Sequence, residues 1–478
     1  MVDLHWKTNM VNSDMSPKSP RLSKPSPRGP SLHVPFSTTA DFSAAPPPLC
    51  AAYDQYLRLP ELRKLWSQRD FPNWNNEPIL KPALQALEIT FRFLSTVSSD
   101  PRPYANRREC NRRIESLATY QVEIISILCE DEEQDAETRG RAPTADLAQS
   151  GDRISYSECS LLPRLATWRR SKDAAQRILL TVECQMTRCP YTLGLGEPNL
   201  SGKPSLLYDA VCRPRELHAL QTTPLEENFE NVNVHAAHQI SESWIRVTRK
   251  LLERICGSIE GGRFEKAASD LDAVERIWKL LGEVTDVHVA MDPNDFLKLM
   301  KSQLAVRSLK NGCGGETVPF CFRSRELVEV ARMCRELREK VPEVVGAEAD
   351  PKGGPRIQEA AMRLYAAAAE EREKVEVLQG MQAVEKAMKG FFFGYKQVVA
   401  AVMGSVEASG NRVGMSCESG DSLSQIFMEP TYFPSLDAAK TFLGYFWDSN
   451  NNNNNNNDNG KSVNNVVVAK GCDRRIRC

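Results

Sequence analysis

Apolar residues that recur at alternating steps of three and four constrain the fold of this chain more than any other feature. In RFEKAASDLDAVERIWKLLGE they line one face of a helix, with charged residues at the remaining positions. The spacing returns in SESWIRVTRKLLERIC and in RELVEVARMCRELREKV. Stripes of this kind must be buried against other helices. The three faces are Phe264, Ala267, Leu271, Val274, Trp278 and Leu281; Trp244, Val247, Leu251 and Ile255; and Leu327, Val330, Cys334, Leu337 and Val341.

The first half of the chain shows the same spacing. EPILKPALQALEITFRFLSTV predicts an amphipathic helix, and helices are also predicted in LRLPELRKLWSQRDF and NRRIESLATYQVEIISILCE. Glycine pairs between the C-terminal segments indicate antiparallel neighbours with short connections. No βαβ rhythm and no fixed repeat is present, so we expect an all-α protein, a multi-helix bundle. The apolar face of the first segment consists of Leu80, Leu84, Leu87, Phe91 and Leu94.

Composition changes along the chain predict two helical regions between disordered tails. The N-terminal tail is rich in Ser-Pro pairs, and the C-terminal tail contains a run of asparagines. A Pro- and Gly-rich connector separates the helical regions, and a polar surface loop interrupts the first of them. The predicted division is a tail at 1–50, an N-terminal region at 51–189 with the loop insert at 130–157, a connector at 190–225, a C-terminal bundle at 226–447 and a tail at 448–478.

Charge and cysteine usage exclude several classes of function. The chain has 61 Lys and Arg against 62 Asp and Glu, which is not the balance of a protein that neutralises nucleic-acid phosphates. No signal peptide is apparent, and the most apolar segment, 391–406, is shorter than a membrane span and contains Lys396. We therefore expect a cytoplasmic protein, with a nuclear location left open, that has reduced cysteines and contacts neither membrane nor nucleic acid.

The connector contains a segment that resembles a phosphate-binding loop without meeting its requirements. Gly196, Gly202 and Lys203 follow the order of such a loop, but the gap between the glycines is one residue too long. Pro204 stands where Ser or Thr would hold magnesium. Cys184 and Cys189 nearby are interpreted as small apolar core residues. The sequence thus predicts no cofactor.

Histidines in the C-terminal region offer an alternative function. His235 and His238 lie one helical turn apart, and Asp286 and His288 occur in TDVHVAMD. Two histidines are too few for a metal site, and no nucleophile signature accompanies the Asp–His pair. A metal-binding or enzymatic site assembled from these four residues is the competing hypothesis. The simpler hypothesis is that the histidines are structural residues of ordinary helices and bind no ligand.

Ser67 is a candidate phosphorylation site. Leu62 precedes it by five residues, Arg63 and Lys64 by four and three, and Phe71 follows it by four. This pattern resembles the site preferred by kinases of the AMP-activated and sucrose-non-fermenting group. An amphipathic helix generates the same spacing, so Leu62, Leu65 and Trp66 also fit an ordinary core face.

Several segments together resemble the HSPRO nematode-resistance family of plants. They are MVDLHWKTNMVNSDMSPKSP, YLRLPELRKLWSQRDFPNWNNEPILKPALQALEITFR, LLPRLATWRRS, YTLGLGEPNLSGKP and YDAVCRP. The resemblance covers nearly the whole chain. It implies a stress- and pathogen-responsive protein that contributes to basal resistance and binds the βγ-type regulatory subunit of the plant sucrose-non-fermenting-related kinase complex. No catalytic residues come with it, so we expect a non-catalytic regulator that binds other proteins.

Overall fold

The structure is a computed structural model that describes residues 53–70, 76–99, 107–130, 211–220, 230–291, 324–347, 355–403 and 429–443. These residues are almost entirely helical and include no strand, which confirms the all-α prediction. The expected tails, the loop insert, the phosphate-loop-like glycines, Cys184 and Cys189 lie outside the described residues. No helix in the described part is both long and apolar enough to span a bilayer.

The helices are numbered in chain order. A 3-10 turn, Leu337–Lys340, connects α7 to α8, and a final helical segment spans 434–443. The others are α1 Leu59–Ser67, α2 Glu77–Ser99, α3 Arg107–Glu130, α4 Pro214–His218, α5 Glu230–Glu260, α6 Phe264–Ala290, α7 Arg325–Glu336, α8 Val341–Val345, α9 Pro355–Ala366 and α10 Arg372–Met403.

Five long helices, α2, α3, α5, α6 and α10, form the body. Helices α5 and α6 are antiparallel, as the glycine pair between them predicted, and Arg254 of α5 pairs with Asp270 of α6 at 2.5 Å. Helices α6 and α10 instead run parallel. Leu271 lies opposite Gly380, and further along both helices the Trp278 ring lies 5.4 Å from the Phe391 ring. The chain between these two helices is long enough to return to the starting end of the bundle.

The predicted apolar faces form one continuous core. Its largest members, including Trp244 and Trp278, are fully buried. Every residue of the three C-terminal stripes is buried except Phe264, which is partly buried and packs against the same core. The spacing of apolar residues therefore identified the interior of the bundle correctly.

Helix α2 is buried around its whole circumference, beyond its predicted apolar face. A second stripe on this helix is polar and also buried, with Gln85 and Glu88 fully inaccessible. This stripe faces the segment 211–220, where Gln85 Nε2 donates to the Cys212 carbonyl at 3.2 Å. Burying polar groups is tolerable when they are hydrogen-bonded, and Lys81, Gln85, Glu88 and Arg92 each make at least one hydrogen bond, although Gln85 Oε1 has no partner. Its members are Lys81, Gln85, Glu88, Arg92 and Ser95.

Replacing Gly380 by alanine is expected to destabilise the protein by about 1–3 kcal/mol, because helices α6 and α10 must separate. A Cβ at this position would lie 2.9 Å from Leu271 Cβ, closer than nonbonded carbons approach. Chemical denaturation measures the effect. Gly390 of the same helix is exposed with open space around it, so Gly390→Ala should leave stability unchanged or raise it by up to ~1 kcal/mol. Equal losses in both variants would contradict the close crossing.

Candidate functional site

Ser67 is exposed at the last position of helix α1, so its hydroxyl is accessible from solvent. Its Oγ donates to the Arg63 carbonyl at 2.7 Å, within the same helix. The residues that would complete a kinase-recognition motif are less available. Leu62 is fully buried, and Arg63 forms a two-pronged ion pair with Asp54 at 2.7 and 3.1 Å. A kinase that reads these side chains would have to loosen α1.

Two arginines at helix starts join α1 to α4. Arg58 and Arg213 immediately precede α1 and α4, and both adopt the left-handed backbone conformation, with φ of 53° and 51°. Arg58 Nη1 donates to the Ala219 carbonyl at 2.8 Å, beyond the end of α4. Arg213 in turn donates to Gln68 Oε1, beyond the end of α1. Each arginine thus contacts the C-terminal end of the other helix, where its positive charge complements the helix dipole.

A buried lysine fixes the chain between α1 and α2. Lys81 is fully inaccessible, and its Nζ lies 2.5 Å from Asp70 Oδ2 and 3.1 Å from Glu77 Oε1. It also donates to the Gln68 carbonyl at 2.6 Å. Arg213 Nη2 reaches the second Asp70 oxygen at 2.9 Å. The SQRD part of the family-like block is therefore held by a network of ion pairs and hydrogen bonds.

The four residues of the alternative site do not come together. His235 is buried beside the N-terminal region, where its Nε2 donates to the Tyr56 carbonyl at 3.1 Å. Burial, helped by the nearby Arg92 charge, lowers the pKa of His235 to about 3, so the ring is neutral at cellular pH. Asp286 is exposed on the outer side of α6, and its carbonyl accepts a hydrogen bond from Arg113. Residues 286 and 288 point to opposite sides of a helix, so Asp286 does not orient His288.

His238 and His288 do meet, their ring centres 5.3 Å apart. His288 Nδ1 donates to the Thr285 carbonyl at 3.0 Å, and burial lowers its pKa. The pair lines a small cavity between α5, α6, α7 and α10. Among the described residues, no group of three or more His, Cys, Asp or Glu has the geometry to hold a metal ion. The polar lining comprises chiefly Tyr53, His238, Glu242, His288, Ser324 and Tyr395.

Glu242 is the one acid among the described residues that line this cavity. Tyr53 Oη donates to Glu242 Oε1 at 2.9 Å, joining the N-terminal region to α5. Burial raises the pKa of Glu242 to about 7, against the hydrogen bonds from Ser324 and Tyr53 and the charge of Arg63, which favour the ionised form. The carboxyl is therefore able to take up or release a proton near neutral pH.

Sequence reasoning did not single out Glu242, Tyr53 or Lys81. Glu242 lies in a segment whose sequence predicts an ordinary amphipathic helix. The one sequence signal for its burial is its position between the inward-facing Ile240 and Trp244. Lys81 had a stronger signal, because it lies among apolar residues in EPILKPALQ and is followed at helical steps by Gln85, Glu88 and Arg92. That second stripe is typical of a helix buried on all sides.

These features define an all-α bundle protein whose two sequence regions share one core and are joined by buried hydrogen bonds. The chain belongs to the Hs1pro-1 family. Residues 1–183 match the family described as Hs1pro-1 N-terminus, and residues 186–449 match the one described as Hs1pro-1 protein C-terminus. The family resemblance of the sequence is thereby confirmed.

Two curated relatives from Arabidopsis thaliana cover nearly the same length. Nematode resistance protein-like HSPRO2 is 54% identical over 457 residues, which are 94% of this chain and 99% of the relative. Nematode resistance protein-like HSPRO1 is 54% identical over 453 residues, with the same shares of the two chains. No solved structure gives a significant match to the chain.

Proposed function

We propose that this protein is a non-catalytic regulator of stress and basal defence signalling in plants that acts by binding other proteins. The observation that carries the proposal is family membership along almost the whole chain, with relatives named for nematode resistance. The partner we propose is the βγ-type regulatory subunit of the sucrose-non-fermenting-related kinase complex.

The architecture supports docking on the folded body. Tyr53 and Arg58 make the N-terminal region part of the bundle through contacts with Glu242 and Ala219. Such a body presents fixed helical faces, and partners bind pre-organised surfaces at a lower entropic cost. A chain beginning at Ala51 should therefore bind the purified subunit as well as the full chain does. Loss of binding on removing residues 1–50 alone would place the docking element in that segment.

Substitutions of Ser67 are expected to show whether charge or side-chain size at this position affects binding of the subunit. Ser67→Ala and Ser67→Asn should bind the subunit within about twofold of wild type, because the hydroxyl contacts only its own helix. Ser67→Asp adds a negative charge on the exposed surface beside Lys64 and Arg69, and should change the dissociation constant by about 2–5-fold. Calorimetric titration of the four proteins measures this. Identical affinities for the asparagine and aspartate variants would show that the partner does not approach this surface.

A second candidate function is a small-ligand or catalytic site at the cavity around Glu242, favoured by its perturbed carboxyl and the two adjacent histidines. Metal analysis of the purified protein, together with turnover or ligand screens on wild type and Glu242→Gln, tests it. One tightly bound metal per chain that is lost on His238→Ala would favour this candidate over the non-catalytic one.

A further inference from the structure

The exposed surface of α1 and the adjoining α4 has a charge imbalance that ion pairing does not remove. Residues 53–70 and 211–220 contain six arginines and lysines against four acids. All four acids have partners: Asp54 with Arg63, Glu61 with Arg58, Glu216 with Arg213, and Asp70 with both Lys81 and Arg213. Each acid of this surface therefore already has a cationic partner, which for Asp70 includes the buried Lys81 of α2.

Three exposed cations of the same surface, Lys64, Arg69 and Arg215, form no ion pair with any residue that the structure describes. The contacts between α1 and α4 place these three residues at the same end of the helix pair. Arg213 reaches Asp70 and Arg58 reaches Ala219, so 211–220 runs alongside α1 in the opposite direction. Arg215, two residues after Arg213, therefore lies toward the C-terminal end of α1, the end that carries Lys64 and Ser67. We call Lys64, Arg69 and Arg215 the cationic face.

The cationic face is rigidly supported. Its scaffold is the Lys81 network and the two helix-start arginines, which already engage their own acids and leave the three outer cations to solvent. Because the backbone beneath the three cations is fixed, an oppositely charged segment can dock there without rearranging the helices. The pattern of charges therefore favours an acidic peptide as the occupant.

We propose that the cationic face docks an acidic peptide segment of the partner, and that phosphorylation of Ser67 weakens this docking. The identity of the partner rests on the proposed function; the chemistry of the docked segment does not. Phosphorylation adds about −2 charge between Lys64 and Arg69, which cancels most of the excess positive charge of the face. On this basis Ser67→Asp should weaken binding, so that the change of about 2–5-fold in the dissociation constant is an increase.

The test uses the full chain with Lys64, Arg69 and Arg215 all replaced by glutamate. The matched control replaces Arg108, Arg338 and Lys386, which are exposed elsewhere and form no ion pair within the described residues, and so makes the same change in net charge. A glutamine version of the first triple variant removes the cations without adding acids. Circular dichroism and thermal unfolding establish that each variant is folded.

Two probes are titrated, the purified βγ-type subunit and a fluorescently labelled ten-residue oligoglutamate peptide. We expect the glutamate variant to lose at least about tenfold in affinity for both, the glutamine variant to lose less, and the control to stay within about twofold. Raising the salt concentration should weaken wild-type binding and reduce the difference between variants.

The outcomes separate the two proposals. If wild type binds oligoglutamate through the cationic face but does not bind the subunit, the proposed partner is wrong and the acidic-docking surface stands. If the subunit binds the glutamate variant and wild type equally, the partner stands and the docking surface is overturned. Equal losses in the glutamate variant and the control would reveal an effect of net charge alone and would also overturn the site.

Discussion

Lys81→Met is expected to lower the free energy of unfolding by about 3–5 kcal/mol. The lysine is fully buried, and its loss would leave Glu77, which is only 1% exposed, without the cation 3.1 Å away. Asp70 would keep its contact with Arg213, and Glu77 would keep the hydrogen bond from the Asp70 N–H, but the buried Glu77 charge would lose the balancing lysine and carries most of the cost. Urea or guanidinium denaturation gives the free energy of unfolding directly.

The double variant Lys81→Met/Glu77→Gln is expected to recover a large part of this loss, since no buried charge then lacks its partner. Lys279→Met serves as the control, because Lys279 is more than half exposed and its pair with Glu275 is a surface one. It should cost less than about 1 kcal/mol. Similar losses for Lys81→Met and Lys279→Met would show that the buried network is not a source of stability.

Glu242→Gln is expected to remove a pH-dependent penalty of about 3 kcal/mol. The folded pKa of about 7 lies above the ordinary value of 4.5, so between these values the folded protein holds a proton that the unfolded chain has released. Stability from this group therefore falls as pH rises from about 4.5 to 7. Glutamine keeps an oxygen that accepts from Tyr53 and carries no charge to bury.

The variant should match wild type near pH 4 and be the more stable of the two at pH 8. Buried His235 acts in the opposite direction, because its lowered pKa withdraws stability as pH falls from 6.5 toward 3. Both proteins contain His235, so the difference between them isolates Glu242. Exposed Glu339 provides the control, and Glu339→Gln should follow wild type across the range. A variant less stable than wild type at pH 8 would contradict the buried, proton-binding carboxyl.

The apolar core of the bundle was predictable from the sequence, because apolar residues at helical spacing lie on the buried side of a helix. Leu80, Leu84, Phe91, Trp244 and Trp278 were all placed on inward faces by their spacing alone, and all are buried. The parallel packing of α6 on α10 was not predictable in this way. Periodicity shows that a face is covered, but it does not show which helix covers it.

The candidate site was only partly predictable for a related reason. His235 and His238 are one turn apart in sequence, but contacts from distant segments decide their surroundings: Tyr56 for the first, Tyr53 and His288 for the second. Ser67 is exposed, as phosphorylation requires, and its phosphorylation stays a prediction. Its accessibility depends on which side of α1 packs into the core, where Leu62, Leu65 and Trp66 are buried, and the local pattern left that open.

The buried polar stripe of α2 has a consequence for how this protein is made. Arg92 finds its acceptor on Gln239 at 2.5 Å, 147 residues further along the chain. A ribosome adds about 5–20 residues per second, so α2 emerges roughly 7–30 s before the helix that completes it. During that interval α3 can pack against one side of α2, but the side that contacts α5 stays exposed. Newly made chains should therefore depend on a holding chaperone until α5 has left the ribosome, and translation pauses between residues 99 and 230 would prolong that dependence.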